Sequence, residues 1–173
     1  MASVATATFA DRLADAVERK RSQLIVGLDP RVDLLPVELR GESVLGRAEA
    51  ANAIARFSCG IVDAVAPYVV GVKPQVAFFE ALGADGIAAL ERVCRYARDA
   101  GLLVIADGKR GDVPVTAGAY AQALVGETPG PFGTVEGLGV DAFTASPLLG
   151  RDAWCARARS GGRGRVHPGR RRQ

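Results

Sequence analysis

The sequence predicts an α/β fold with a parallel sheet, in which about four β/α units follow a leading helix. Two observations predict it. Short runs of apolar residues alternate with stretches in which apolar residues recur every three or four positions. The short runs are apolar almost throughout, as in parallel strands that are covered on both faces. Strands that alternate with helices in this way form right-handed β-α-β crossovers and therefore a parallel sheet.

The predicted elements follow one another in a regular order. An amphipathic helix over 8–21 precedes a strand over 24–28, and residues 31–46 are predicted as a loop because they contain a proline and two glycines. The remaining predicted elements are a helix over 47–65, a strand over 68–75, a helix over 85–99, a strand over 102–109, a helix over 114–125, a strand over 139–147 and the start of a helix over 151–159. We expect Asp85 to cap the helix that begins there and Gly101 to follow its end.

The composition is that of a globular protein. The chain has 173 residues, 49% hydrophobic and 24% charged, which fits one domain. No apolar run reaches the roughly 18 residues of a membrane-spanning helix, and the first residues lack the regions of a signal peptide, so we expect a cytoplasmic protein without membrane contact. The three cysteines, Cys59, Cys94 and Cys155, lie far apart and predict neither a disulfide framework nor a zinc site.

The net charge of +3 comes from one end of the chain. Residues 155–173 contain seven arginines and no acidic residue, whereas the rest of the chain has 15 basic and 19 acidic residues. A nucleic-acid-binding protein carries its basic residues across the folded elements. The distribution therefore does not favour a nucleic-acid partner.

The most specific motif is D-x-K-x-x-D, formed by Asp107, Lys109 and Asp112. Asp107 and Lys109 are two positions apart on a predicted strand, so we expect both side chains on one face. Carboxylates near an ammonium favour its protonated form, and a protonated lysine beside a reacting carbon is a general acid. The alternative interpretation is an exposed ion pair of little energetic consequence.

Polar residues also end the other predicted strands. Asp29 follows the first strand, Lys73 ends the second, and Thr144 and Ser146 share a face at the end of the fourth. Polar ends on every strand favour a (β/α)₈ barrel over an open doubly wound sheet, because all strands of a barrel end at the same mouth. We therefore predict the N-terminal part of a (β/α)₈ TIM barrel over residues 1–153.

Four ordered motifs resemble those of one enzyme family. They are Leu28-Asp29-Pro30, Lys73-Pro74-Gln75-Val-Ala-Phe-Phe-Glu80, Asp107-Gly-Lys109-Arg-Gly-Asp112-Val113 with Thr116, and Thr144-Ala-Ser146-Pro147. Over about residues 8–153 the sequence resembles the orotidine 5′-phosphate decarboxylases, most closely a longer bacterial subtype. The resemblance implies a homodimeric barrel without cofactor or metal. It implies a carboxy-lyase that converts orotidine 5′-monophosphate to UMP and CO₂ in pyrimidine synthesis.

The resemblance also implies catalytic roles. Lys109 would protonate C6 of the pyrimidine as CO₂ leaves, and Asp107 would lie against the substrate carboxylate and orient Lys109. Lys73 would take part in the same charged network. Asp112 would reach across a dimer interface into the site of the partner subunit.

Substrate-binding roles are implied for five residues. Asp29 and Lys73 would bind the ribose hydroxyls, and Ser146 would contact the pyrimidine ring. Thr144, on the same face as Ser146, is predicted to bind substrate with it. Thr116 would reach the site of the partner subunit alongside Asp112.

The segment 154–173 departs from the family pattern. It is rich in arginine and glycine and has no apolar period, so we expect it to be out-of-frame or disordered, with the family sequence truncated or frameshifted after about residue 153. The family holds the substrate phosphate with loops after its seventh and eighth strands. We therefore expect the chain on its own to have little or no activity.

Two alternative functions stay open on the sequence. A sugar-phosphate lyase or synthase of the same superfamily shares D-x-K-x-x-D and uses the carboxylates to bind Mg²⁺. The K-P-Q-x-A-F-F-E and T-A-S-P segments argue against it. The other alternative is a non-catalytic fragment whose basic tail binds a partner.

Overall fold

The computed structural model describes residues 7–41 and 46–149. The predicted helix start at 151–159 and the segment 154–173 lie outside these ranges. In chain order the elements are α1 (Phe9–Lys20), β1 (Ile25–Leu28), a 3₁₀ turn (Val32–Leu34), α2 (Val37–Arg40), α3 (Arg47–Val65), β2 (Gly71–Pro74), α4 (Val76–Glu80), α5 (Gly83–Asp99), β3 (Leu103–Arg110), α6 (Pro114–Val125), β4 (Glu127–Gly130), β5 (Gly133–Glu136) and β6 (Ala142–Ala145).

The main sheet has the strand order β1-β2-β3-β6. Contacts divide the described residues into two compact units, one within Ala16–Gly108 and the other formed by the described parts of Met1–Asp15 and Lys109–Gln173. No helix within the described residues is long and apolar enough to cross a membrane.

The unit Ala16–Gly108 is built on parallel strands. β2 pairs with β1 on one side, with Ile25 opposite Gly71 and Leu28 opposite Pro74, and with β3 on the other. Parallel strands need long crossovers, which α3 and α5 supply. The register places the carboxyl ends of β1 and β2 side by side.

An interface of buried side chains between α3 and α5 forms the core of this unit. Ile54 and Val62 of α3 and Val93 and Cys94 of α5 are fully buried. Gly86 lets the start of α5 approach α4, because a Cβ at this position would lie 1.9 Å from the Phe79 carbonyl oxygen. The packing of α3 and α5 holds the strands β1, β2 and β3 in place, and the candidate site residues lie at the ends of these strands.

The other unit contains α6, β6 and a two-stranded hairpin. β4 and β5 are antiparallel and exposed throughout, with Glu127 opposite Glu136. Arg12 of α1 forms an ion pair with the buried carboxylate of Asp141, which directly precedes β6. This ion pair ties α1 to the segment that leads into β6.

The leading helix begins with a reciprocal cap that the sequence analysis did not identify. The backbone N–H of Asp11 donates to Thr8 Oγ1 at 3.2 Å, while Thr8 donates from its hydroxyl and its N–H to Asp11 Oδ2. The hydrogen bond from the Thr8 hydroxyl, followed by the one from its N–H, lowers the pKa of Asp11. The T-x-x-D spacing just before the apolar period of the helix could have predicted this cap.

Most long elements are confirmed. The helices predicted over 47–65 and 114–125 occupy those residues, and the helix predicted over 8–21 is one residue shorter at each end. Gly101 follows the end of α5 with a φ of +76°, which confirms it as the residue after the helix. The strands predicted over 68–75 and 139–147 are shorter, because only four residues of each belong to the sheet.

Several local predictions were wrong. The predicted loop over 31–46 contains the 3₁₀ turn and α2, and α4 and the β4–β5 hairpin were missed. Each is a single turn or a four-residue strand, too short to show a period. Asp85 does not cap α5: the helix begins at Gly83 after Leu82, and Asp85 lies within its first turn, where its charge complements the helix dipole.

A pH-dependent contact joins α3 and α5 on their exposed side. The Tyr96 hydroxyl donates to Asp63 Oδ1 at 2.7 Å, and this hydrogen bond raises the pKa of Tyr96. It stabilises the fold fully below the pKa of an unfolded tyrosine, about 10. The contribution is lost as the pH rises through the higher pKa of the folded state.

We therefore expect Tyr96→Phe to lower the free energy of unfolding at neutral pH, with a difference from the unsubstituted chain that shrinks above about pH 10. Urea unfolding at several pH values measures it. Tyr68→Phe, at a tyrosine that is 68% exposed, is the matched control and should change the free energy of unfolding little. A Tyr96→Phe difference that stays constant into strongly alkaline solution would contradict the assignment.

Candidate active site

An ion pair connects the ends of two parallel strands in the unit Ala16–Gly108. Lys73 of β2 donates from Nζ to Oδ2 of Asp107 on β3 at 2.6 Å. The Asp107 side chain is only 9% exposed, and that of Lys73 is 35% exposed. A charge-assisted hydrogen bond of this length offsets much of the desolvation cost of a nearly buried carboxylate. Two of the candidate site residues, Lys73 and Asp107, are thus in direct contact, while their roles stay predictions.

Gln75 extends this contact and was not among the predicted site residues. Its Nε2 lies 3.5 Å from Asp107 Oδ2, and Gln75 and Asp107 form an isolated parallel bridge. The Gln75 N–H also donates to the Leu28 carbonyl at 2.9 Å, which joins the end of β2 to that of β1. Its position two residues after Lys73 was the available signal.

Asp29 follows β1 at the same edge of the sheet. Its side chain is exposed, and it folds back over the strand, since a Cβ at Gly27 would lie 2.9 Å from Asp29 Oδ2. The register of β1 with β2 carries Asp29 to the edge at which β2 ends, one residue after Lys73. The strand ends predicted to carry Asp29, Lys73 and Asp107 are therefore neighbours in one sheet.

Lys109 occupies an unusual backbone position at the end of β3. Its φ is +47°, in the left-handed region, and its side chain is exposed. Its N–H donates to Thr144 Oγ1 of β6 at 3.0 Å. The same-face prediction for Asp107 and Lys109 assumed a regular extended strand. The left-handed residue ends that regularity, so this corner sets the direction of the Lys109 side chain.

Three further contacts shape what we call the Lys109 corner, formed by Lys109, Arg110, Gly111, Thr144 and Ser146. The Ser146 N–H donates to the Arg110 carbonyl at 2.8 Å. A Cβ at Gly111 would lie 3.0 Å from Ser146 Cβ, so the two chain segments approach closely. The Arg110 guanidinium lies 5.5 Å from the ring centre of Tyr120 on α6. Thr144 and Ser146 thus lie beside the backbone of the lysine motif.

Asp112 and Thr116 lie at the start of α6. Asp112 Oδ1 accepts the N–H of Val113 at 2.7 Å, and both Asp112 and Thr116 are half-buried. A carboxylate at a helix N-terminus is favoured by the helix dipole. The role of these two residues in a partner subunit stays a prediction.

Within residues 7–41 and 46–149, no group of three or more His, Cys, Asp or Glu side chains is arranged to hold a metal ion.

The repeated β/α units and their parallel strands are those of an N-terminal part of a (β/α)₈ barrel, the class of protein to which the chain belongs. The sequence model of the orotidine 5′-phosphate decarboxylase / HUMPS family matches residues 22–163. The chain belongs to this family. The family and the fold class predicted from the sequence are thereby confirmed.

Individual relatives agree with this assignment. The orotidine 5′-phosphate decarboxylase of Rhodopirellula baltica is 47% identical over 150 residues, covering 84% of this chain and 48% of the relative. That of Deinococcus radiodurans is 42% identical over 145 residues, covering 84% and 45%. The solved OMP decarboxylase of Leishmania donovani has a TM-score of 0.65 and 33% identity, covering 88% of this chain and 50% of that one. The chain spans about half the length of the relatives it matches.

The left-handed backbone of Lys109 predicts which of two substitutions at this position gives the more stable protein. A non-glycine residue in this region costs about 1–2 kcal/mol, whereas glycine does not bear that cost. We expect Lys109→Gly to be more stable than Lys109→Ala by about 1 kcal/mol in urea unfolding. At Thr134, an exposed strand position outside the left-handed region, the order should reverse. Equal stability of the two Lys109 variants would show that the backbone is not left-handed.

The ion pair makes a second prediction. Lys73→Met removes the ammonium next to a carboxylate that is 9% exposed, and we expect a loss of about 1–3 kcal/mol in the free energy of unfolding. Adding Asp107→Asn should recover part of this loss, and the double-mutant cycle measures the coupling. The control is Arg95→Met, which breaks an exposed 2.6 Å pair with Glu91 and should change little. Additive effects of the Lys73 and Asp107 substitutions would contradict the coupling.

Proposed function

We propose that this chain carries the lysine- and aspartate-bearing part of an enzyme that decarboxylates orotidine 5′-monophosphate to UMP and CO₂, a step of pyrimidine synthesis. The observation that carries the proposal is the Lys73–Asp107 ion pair, with Lys109 two positions further along β3. Membership of the family and the names of the relatives support this activity.

The reaction requires a positive charge close to C6 of the pyrimidine and a proton that can be transferred to C6. The bond between C6 and the carboxylate breaks, CO₂ leaves, and the electron pair stays on C6. That carbanion has no conjugated carbonyl into which it can spread. The ammonium of Lys109 stabilises it as the charge develops and then transfers a proton to C6, so that Lys109 ends neutral.

Lys73 and Asp107 prepare the site for this step. The Lys73 ammonium keeps the negative charge of Asp107 tolerable at 9% exposure. Asp107 then supplies a fixed carboxylate two residues before Lys109, suited to orienting its ammonium. Because these charges are set by the strands before substrate binds, little reorganisation is needed during the reaction.

The remaining predicted residues take binding roles in the proposal. Asp29 and Lys73 bind the ribose hydroxyls, and Ser146 contacts the pyrimidine ring. Asp112 and Thr116 act in the site of a partner subunit, so the working form is a homodimer in the cytoplasm. Support for these roles comes from the motifs of the sequence and from the placement of Asp29 and Lys73 at one sheet edge.

Activity of the full reaction depends on more than these residues. Binding of the remote phosphate contributes to transition-state stabilisation as well as to affinity. Barrel enzymes commonly bind phosphate with loops after their seventh and eighth strands. Since the chain matches about half the length of its relatives, we expect high turnover only when further β/α units complete the site.

The test is CO₂ release from orotidine 5′-monophosphate. It is measured for the chain alone and for the chain co-expressed with the half of the Rhodopirellula baltica relative that it does not match. Lys109→Ala should reduce turnover by about 10³-fold or more, because it removes both the charge and the proton. Lys20→Ala, on α1, is the control and should stay within about twofold.

Two outcomes would contradict the proposal. Retention of turnover within about tenfold in Lys109→Ala would exclude Lys109 as the proton donor, and absence of CO₂ release in both arrangements would exclude the activity. A requirement for Mg²⁺, with loss of activity on chelation, would instead favour a sugar-phosphate lyase or synthase.

A further inference from the structure

We propose that Thr144 is a positioning residue for Lys109: its Oγ1 accepts the Lys109 N–H and holds the lysine backbone in the left-handed conformation from which its ammonium is directed. The hydrogen bond is 3.0 Å long, and the Lys109 φ is +47°. The inference rests on the proposed function, in which Lys109 is the proton donor. It replaces the direct substrate-binding role that the sequence suggested for Thr144.

The left-handed conformation needs a partner outside the regular ladder. In an extended strand each inward N–H points to a carbonyl of the neighbouring strand. The φ of +47° turns the Lys109 side chain and the residues that follow relative to the Lys109 N–H. The Thr144 hydroxyl accepts that N–H and so fixes the peptide plane from which the left-handed turn begins. Threonine suits this task because its branched Cβ restricts χ1 and so fixes the acceptor oxygen in place.

Neighbouring contacts hold the same corner from β6. The Ser146 N–H donates to the Arg110 carbonyl at 2.8 Å, so consecutive residues of the lysine motif are hydrogen-bonded to the β6 segment. Close packing of Gly111 on Ser146 leaves little room for the corner to shift. A conformation that costs free energy persists only where its surroundings determine it in this way.

The catalytic consequence follows from the length of the lysine side chain. A return of Lys109 to an extended φ would swing its Cβ and the four methylene groups beyond it. Displacing a catalytic group by about 1 Å can cost roughly 10²-fold in rate. Loss of the Thr144 acceptor should therefore lower kcat while leaving substrate affinity nearly unchanged.

The first arm of the test is independent of turnover. NMR measures amide hydrogen exchange of Lys109 and the three-bond couplings that report its φ. Thr144→Val keeps the side-chain shape and removes the acceptor. It should speed Lys109 exchange by about tenfold or more and shift the couplings toward extended values. Thr144→Ser should restore both, and Thr134→Val, an exposed threonine on β5, is the matched control.

The second arm measures kcat and KM for CO₂ release in the active arrangement described above. Thr144→Val should lower kcat by about tenfold or more with KM within about threefold, and Thr144→Ser should recover most of the loss. A structural role alone would lower the fraction of folded enzyme, which thermal unfolding of each variant measures separately. If Thr144→Val does not fold, Thr144→Ala carries the same comparison.

The outcomes separate the two proposals. Absence of turnover in the unsubstituted protein contradicts the proposed function, and the NMR arm still decides whether Thr144 sets the lysine backbone. Unprotected Lys109 exchange in the unsubstituted chain, or unchanged φ couplings in Thr144→Val, overturns the positioning role. So does a Thr144→Val variant with altered Lys109 exchange and unaltered kcat.

Discussion

Parallel pairing of β1, β2 and β3 is the constraint on which the rest of the site depends. Parallel strands share one direction, so their carboxyl ends meet at one edge, and α3 and α5 cover the sheet to hold them there. Lys73 and Asp107 are 34 positions apart in the chain and reach 2.6 Å only because of this pairing. The packing of Ile54, Val62 and Val93 thus helps to hold the strands that bring Lys73 and Asp107 together.

The sequence predicted this architecture because its signals are long. Helices such as Arg47–Val65 repeat their apolar face over several turns, and the apolar strands interrupt that period at regular intervals. The prediction from sequence missed α2, α4 and the two strands of the β4–β5 hairpin. None of these elements is longer than five residues. A single turn has no period, and tertiary contacts rather than local sequence decide its conformation.

The contact between two candidate residues could be anticipated from the sequence better than the backbone geometry could. D-x-K-x-x-D and the polar strand ends named Lys73, Asp107 and Lys109 as candidate site residues, and the structure pairs the first two. The two-residue alternation of a strand gave no warning that Lys109 has a φ of +47°, since left-handed backbone at a lysine carries no local signature of the kind that glycine or asparagine provides. Gln75 and the acceptor role of Thr144 depend on strand pairing, which the sequence leaves open.

Lys73 is held by a hydrogen bond from its ammonium and Lys109 by one from its backbone N–H, and each contact fits what that residue would do in the proposed reaction. The Lys73 contact is made through its charge, with the Asp107 carboxylate. A proton donor loses its charge during the reaction, so an anchor made only of ion pairs would weaken at the moment of transfer. The hydrogen bond from the Lys109 N–H to Thr144 Oγ1 does not depend on the charge of the side chain. An anchor through the backbone therefore keeps the lysine in position both before and after it gives up its proton.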